Sequence, residues 1–162
     1  MMQVALGNAD HPEYGVATIP FPIPKDQYDH CMEMMEALEI GEPHKKDCKV
    51  QAIDSFYSVL KITENLRVNL DELDYLAKRL ESFDDGEAAQ FQAMASKLEL
   101  FELKDLINLT FCCQQATVIT DFSDLKAVGR DHYMNTHGGC ASVQALEELD
   151  GVAKVLWLCC GA

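Results

Sequence analysis

The sequence predicts an α+β protein: a small antiparallel sheet with a helix at the N-terminus, a central short-helix bundle, and a second small α+β unit at the C-terminus. Three observations carry this. In the first third, β-prone runs flank a segment of helical period. The middle third is helix-periodic throughout, and the last third alternates between the two patterns again. The expected units are residues 1–62, 63–109 and 110–162. The final apolar run stops two residues from Ala162, which predicts that the third unit is a shortened form of a longer one.

Gln3–Asn8 and Gly15–Phe21 are short β-prone runs separated by Asp10, His11, Pro12 and Glu13, a turn-like set. Pro22 has no amide hydrogen to donate, so it belongs at an edge or beyond the strand. From Asp26 to Ile40 the apolar positions Tyr28, Cys31, Met32, Met35 and Leu38 recur at helical spacing, and Gly41 with Pro43 supplies a stop. Cys48–Ser55 and Phe56–Ile62 are expected to return as strands. In the middle, Asn69 is an N-cap with Glu72 at the capping-box position, and Leu70, Leu73, Leu76, Ala77, Leu80 and Phe83 form one stripe. Asp84, Asp85 and Gly86 break it before helices over 87–98 and 102–109. Beyond, 116–120 and 153–160 read as strands and 123–128 and 142–149 as helical.

Thirteen Lys and Arg against twenty-seven Asp and Glu give a net charge of −14, spread as −6, −5 and −3 over residues 1–60, 61–108 and 109–162. Such a surface repels a phosphate backbone, which excludes direct nucleic-acid binding and favours a basic partner. Its local arrangement says more. Asp26, Asp29, Glu33 and Glu36 are spaced three, four and three apart, on one helix face opposite the methionine and leucine stripe, and Glu39 and Glu42 extend them around the helix end. Asp71, Asp74, Glu81 and Asp85 form a second row, interrupted by Lys78, with Asp84 and Glu87 crowding its end. A single acidic row is what a solvated helix face looks like. Here, however, like charges at adjacent turns repel by a few tenths of a kcal/mol, and the net charge exceeds the magnitude of about 2 to 8 that keeps a small domain soluble. Rows of carboxylates at such intervals suit the basic channel of a DNA-handling protein, where they would stand in for phosphates.

The chemistry-bearing motifs are weak by comparison. His132, His137 and Cys140 are the only His and Cys near metal-ligand spacing, and a fourth ligand would have to be Asp131 or a distant cysteine. Nothing around Cys140 matches a nucleophile signature, and phosphate-cradling loops, serine elbows and calcium loops are missing from the sequence. The expectation is a protein that is no enzyme, with no cofactor and no metal. Seven cysteines, an odd number, in a chain without a secretion-like N-terminus read as reduced thiols, and no run reaches the eighteen or so apolar residues of a membrane span. A cytoplasmic location follows as the expectation.

The run from Val68 to Leu80, VNLDELDYLAKRL, is followed by FDDGE and AAQFQAM, then by DLINLT at Asp105–Thr110 and VITDFSDLKAVGRDHYM. In that order these segments resemble the antirestriction protein family ArdA of conjugative elements, a class of mobile genetic element. The similarity covers roughly residues 68–134, with a looser echo in YDHCMEMMEALEIGEP; after LINLT the chain departs from the family with Phe111, Cys112, Cys113, Gln114 and Gln115. The resemblance implies an acidic α+β protein, possible as a homodimer, that mimics B-form DNA and blocks type I restriction-modification enzymes. The partner-binding residues expected on this reading are Asp26, Asp29, Glu33, Glu36, Asp71, Asp74, Glu81, Asp84 and Asp85. Two rivals stand beside it. One is an inhibitor of another DNA-binding defence nuclease of the CRISPR type, and the other an adaptor that docks a protein on the apolar patch around Met32, Met34 and Met35.

Overall fold

Four antiparallel strands order the N-terminal half: β1 (Met2–Asn8), β2 (Val16–Phe21), β3 (Cys48–Asp54) and β4 (Arg67–Val68), arranged β2-β1-β3-β4. The computed structural model of the chain describes residues 1–118, and Met1–Ala116 forms one unit dense in internal contacts. Of the strand expected over 116–120 only 116–118 are described, with no strand there, and the elements expected over 123–128, 142–149 and 153–160, together with His132, His137 and Cys140, lie outside the described residues.

Alternation decides the faces of the sheet. Met2, Val4 and Leu6 stand opposite Phe21, Ile19 and Ala17 on one side and Ile53 and Val50 on the other, and all except the half-buried Ala17 are buried. Val50 and Ile53 are three residues apart and would ordinarily point to opposite faces. A bulge, with Ala5 opposite Ala52 and Leu6 opposite Val50, leaves Gln51 as the extra residue and turns both inward. The other face carries the exposed Gln3, Thr18, Gln51 and Ala52. Pro22 follows the last residue of β2, itself an edge strand, as its missing donor requires.

One expected strand is corrected. Residues 58–63 form a 3-10 helix, and the strand beside β3 is Arg67–Val68. The reason is room: β3 ends at Asp54, so a strand beginning at Phe56 would have a single connecting residue, below the two that the tightest hairpin uses. The 3-10 helix instead buries Leu60 and leaves Phe56 exposed, while Asn65 donates to the Val50 carbonyl at 2.7 Å and the Glu64 carboxylate accepts from the Ile53 amide at 3.2 Å.

Helix α1 (Tyr28–Ala37) follows a short 3-10 turn at Lys25–Gln27 and has no side-chain N-cap bond. It buries Cys31 and Met35, followed by Leu38 and Ile40 in the turn after it, whereas Tyr28 and Met32 of the same expected stripe stay 50% and 42% exposed. Asn8, buried at the end of β1, ties this helix to the sheet by donating to the Leu38 carbonyl at 3.0 Å. Helix α2 (Leu70–Glu81) is capped as expected: Asn69 Oδ1 accepts from the Glu72 amide at 3.1 Å, and its Nδ2 donates to the Lys45 carbonyl at 2.7 Å. All of Leu70, Leu73, Leu76, Ala77 and Leu80 are buried. The full capping box occurs one helix later, where Asp84 and Glu87 bond reciprocally at the start of α3 (Asp85–Lys97), so the break at Asp84 is also a helix start. Helix α4 (Leu103–Leu109) adds three buried leucines.

Sheet and helices share a single apolar core, with Phe91 of α3 edge-on to Tyr57 and Phe83 and the Tyr57 hydroxyl donating to the Leu80 carbonyl at 3.0 Å. Arg79 joins α2 to the end of α4. Its Nη2 donates to the Thr110 carbonyl at 3.1 Å and its guanidinium lies 4.2 Å from the Phe111 ring centroid. No helix among the described residues is long and apolar enough to cross a membrane.

Candidate functional site

The acidic row of α1 is presented outward because the helix turns Cys31 and Met35 to the core, which leaves the opposite arc to solvent. Asp26, in the preceding 3-10 turn, and Asp29, Glu33 and Glu36 on α1 are all exposed. None has a hydrogen bond or ion pair to another side chain among the described residues. At a rise of about 1.5 Å per residue the row spans about 15 Å, one charge per 5 Å or so against roughly 3.4 Å per phosphate along one DNA strand. It is a somewhat sparser ridge than a nucleic-acid strand.

The second row is more mixed. Asp71 is exposed and unpartnered among the described residues. Asp74 is engaged twice: Oδ2 accepts from Lys78 Nζ at 2.6 Å, and Oδ1 accepts from the Ile23 amide at 3.2 Å, which fastens the chain beyond β2 to α2. The bond from Asp74 holds the Lys78 ammonium above its usual pKa. Glu81 meets the N-terminal ammonium at 3.1 Å, Asp84 caps α3, and Asp85 is exposed in the first turn of that helix.

The structure brings only part of this set together. A groove of about 810 Å³ runs between α1 and the first half of α2, and Glu36, Asp71 and Asp74 line it. Glu39 and Glu42, the extension of the α1 row around the helix end, line it too. Glu42 is paired with Lys45 at 2.8 Å, and the Glu39 carboxylate beside Tyr14 pushes that hydroxyl above its usual range. Asp26, in the turn before α1, and Asp29 and Glu33 on α1 stand outside the groove, and Glu81, Asp84 and Asp85 lie toward the far end of α2 and the start of α3.

The groove's floor takes up part of the apolar patch expected around Met32, Met34 and Met35: Met34 packs against the core instead, and the acidic walls around the other two were not foreseen. Ile23, Tyr28, Met32 and Met35 line it between the acidic walls, and two of these are the exposed members of the α1 stripe. The available signal was an apolar stripe with four members on a helix of ten residues whose core contact needs only one side. A smaller pocket of about 340 Å³ lies between Phe21, Phe56, Tyr57 and Leu80 near the N-terminus.

Of the cysteines, Cys31, Cys48, Cys112 and Cys113 are described, and all four are free thiols. Cys112 is exposed and Cys113 buried, an opposition expected of a strand but here produced by a 3-10 turn. Burial raises the Cys31, Cys48 and Cys113 thiols, so they are poor nucleophiles. Among the described residues no three His, Cys, Asp or Glu side chains gather in a metal-holding cluster.

No protein-family model matches the chain, and no curated protein or solved structure matches it either.

Proposed function

We propose that the chain is a non-enzymatic, DNA-mimicking antirestriction protein, as its resemblance to the ArdA family implies, that occupies the DNA-binding site of a host type I restriction-modification enzyme in the cytoplasm. One observation supports this above the others: the α1 carboxylates are presented together and unneutralised. Of the 21 Asp and Glu in residues 1–118, five sit in ion pairs, so the negative field is not cancelled internally. A ridge that retains its charge competes for a cationic channel, and the attraction weakens as salt screens it. The apolar side of α1 keeps the ridge rigid, because Cys31 and Met35 are locked in the core.

The test is a DNA-cleavage assay with a purified type I restriction enzyme. The wild-type chain should inhibit, and raising the salt should relieve inhibition. The variant carrying Asp26→Asn, Asp29→Asn, Glu33→Gln and Glu36→Gln should lose about tenfold or more in potency, since rim charges act on association rate and salt dependence. Undiminished inhibition by this variant would overturn the reading.

A further inference from the structure

Phosphate mimicry has no use for an apolar floor, yet the groove has one. Tyr28 and Met32 are half exposed there although Met35, one turn on, is buried. Leaving two large apolar side chains in water forgoes burial that favours folding by about 1.5 to 3 kcal/mol for each side chain fully buried. Among the described residues that line the groove the only cation is Lys78, already held by Asp74 at 2.6 Å. Glu36 and Asp71 face each other across the groove with no pairing of their own among the described residues.

We infer that this groove is a docking site for a lysine- and arginine-rich amphipathic helix of a partner protein, which seats a large apolar side chain between Tyr28 and Met32 and its cations against Glu36, Glu39 and Asp71. Three physical arguments select that occupant. The walls are helices whose backbone groups are already bonded, so they offer no sheet edge to an extended peptide, and an incoming segment must satisfy its own backbone as a helix does. The rim is acidic, which selects cations and disfavours a second copy of this chain at −14. The exposed methionine of the floor, Met32, has a flexible thioether that adapts to the anchor it receives. The volume of about 810 Å³ is within the range of built binding clefts.

The experiment uses the full chain and three labelled helical peptides of equal length: one of Lys and Leu in amphipathic order, one with Ala in place of Leu, and one with Glu in place of Lys. Fluorescence anisotropy at physiological salt should show the Lys–Leu peptide binding about tenfold or more tighter than the Lys–Ala peptide, as burial of one leucine provides. The Glu–Leu peptide should not bind. Met32→Asp, at a position already 42% exposed, and independently Tyr28→Ser should shrink the preference for Leu over Ala to less than about threefold, with helical content unchanged by circular dichroism. Equal binding of the Lys–Leu and Lys–Ala peptides, binding of the Glu–Leu peptide, or a preference that survives both variants overturns the assignment. It fails separately from duplex mimicry: neutralising Asp26, Asp29 and Glu33, which stand outside the groove, should weaken inhibition of the restriction enzyme while leaving the peptide preference intact.

Discussion

Helices α1 and α2 both carry acidic rows and both wall the groove, but they are built on different terms. Helix α2 has a side-chain cap, Asp71 and Glu72 in its first turn, Lys78 and Arg79 in its last, and five buried apolar residues. Its charges therefore complement the helix dipole at both ends. Helix α1 has Asp29 in its first turn but no side-chain cap, no basic residue in its last turn, and Glu36 in that last turn, where negative charge is disfavoured. What holds α1 is tertiary: Cys31 and Met35 in the core and the Asn8 bond to the carbonyl of Leu38. A helix whose own sequence works against it, yet which is kept rigid by its neighbours, carries an exposed acidic side that the fold itself does not require.

The contrast breaks most visibly in the core. Leu76 of α2 is fully buried, so Leu76→Ala should cost about 2 to 5 kcal/mol in denaturant unfolding. Met32→Ala on α1 should change stability by no more than about 0.5 kcal/mol, as surface substitutions do. Similar losses at both positions would mean that Met32 is a core residue and that α1 has no face held back from folding.

A smaller effect separates the two helix starts. Asn69→Ala removes a cap bond and also the partner of the Lys45 carbonyl, so a loss of about 1 to 2 kcal/mol is expected. Gln27→Ala, at the uncapped start of α1, should fall within about 0.5 kcal/mol of wild type. Amide hydrogen exchange in the first turns of both helices supplies a second readout, with protection falling at α2 alone.

Where the physics was local, the sequence was enough. The α2 stripe, its Asn69 cap and the strands expected over 3–8 and 15–21 follow from periods of 3.6 and 2 and from turn chemistry, and the structure has them within a residue or so. The strand expected over 56–62 is a failure of the same reasoning. Phe56, Tyr57, Val59 and Ile62 have strand propensity, but whether they pair depends on the connection to β3 and on residues 64–68 filling that edge first, a tertiary competition that no window reveals. The site divides likewise. Exposure of Asp26, Asp29, Glu33 and Glu36 was legible because a helix face is a local property. The engagement of Asp74 by Ile23, 51 residues earlier, and of Glu81 by the N-terminus was not, nor was the meeting of Glu36 with Asp71 across a groove, since each needs the packing of α1 beside α2.

The finest distinction concerns the sign of a small change. Glu33→Gln and Glu36→Gln on α1 each remove a charge that repels its neighbours one turn away, and Glu36 also opposes the helix dipole, so each should raise stability by a few tenths of a kcal/mol. The gain should fade as salt is added, because screening already removes much of the repulsion in the wild type. On α2 the sign reverses. Asp74→Asn gives up a bond to Lys78 and leaves the Ile23 amide with a weaker acceptor, so it should lower stability, by about 1 kcal/mol or less for a pair whose lysine is 61% exposed. Chemical denaturation of the three variants at low and high salt decides the matter. Carboxylates that stabilise the chain when removed, and whose removal at the same time weakens its hold on a basic partner, are kept for binding. Were Glu33→Gln and Glu36→Gln to destabilise as Asp74→Asn does, the α1 row would be part of the fold's own electrostatics, and the difference between the two helices would be one of degree.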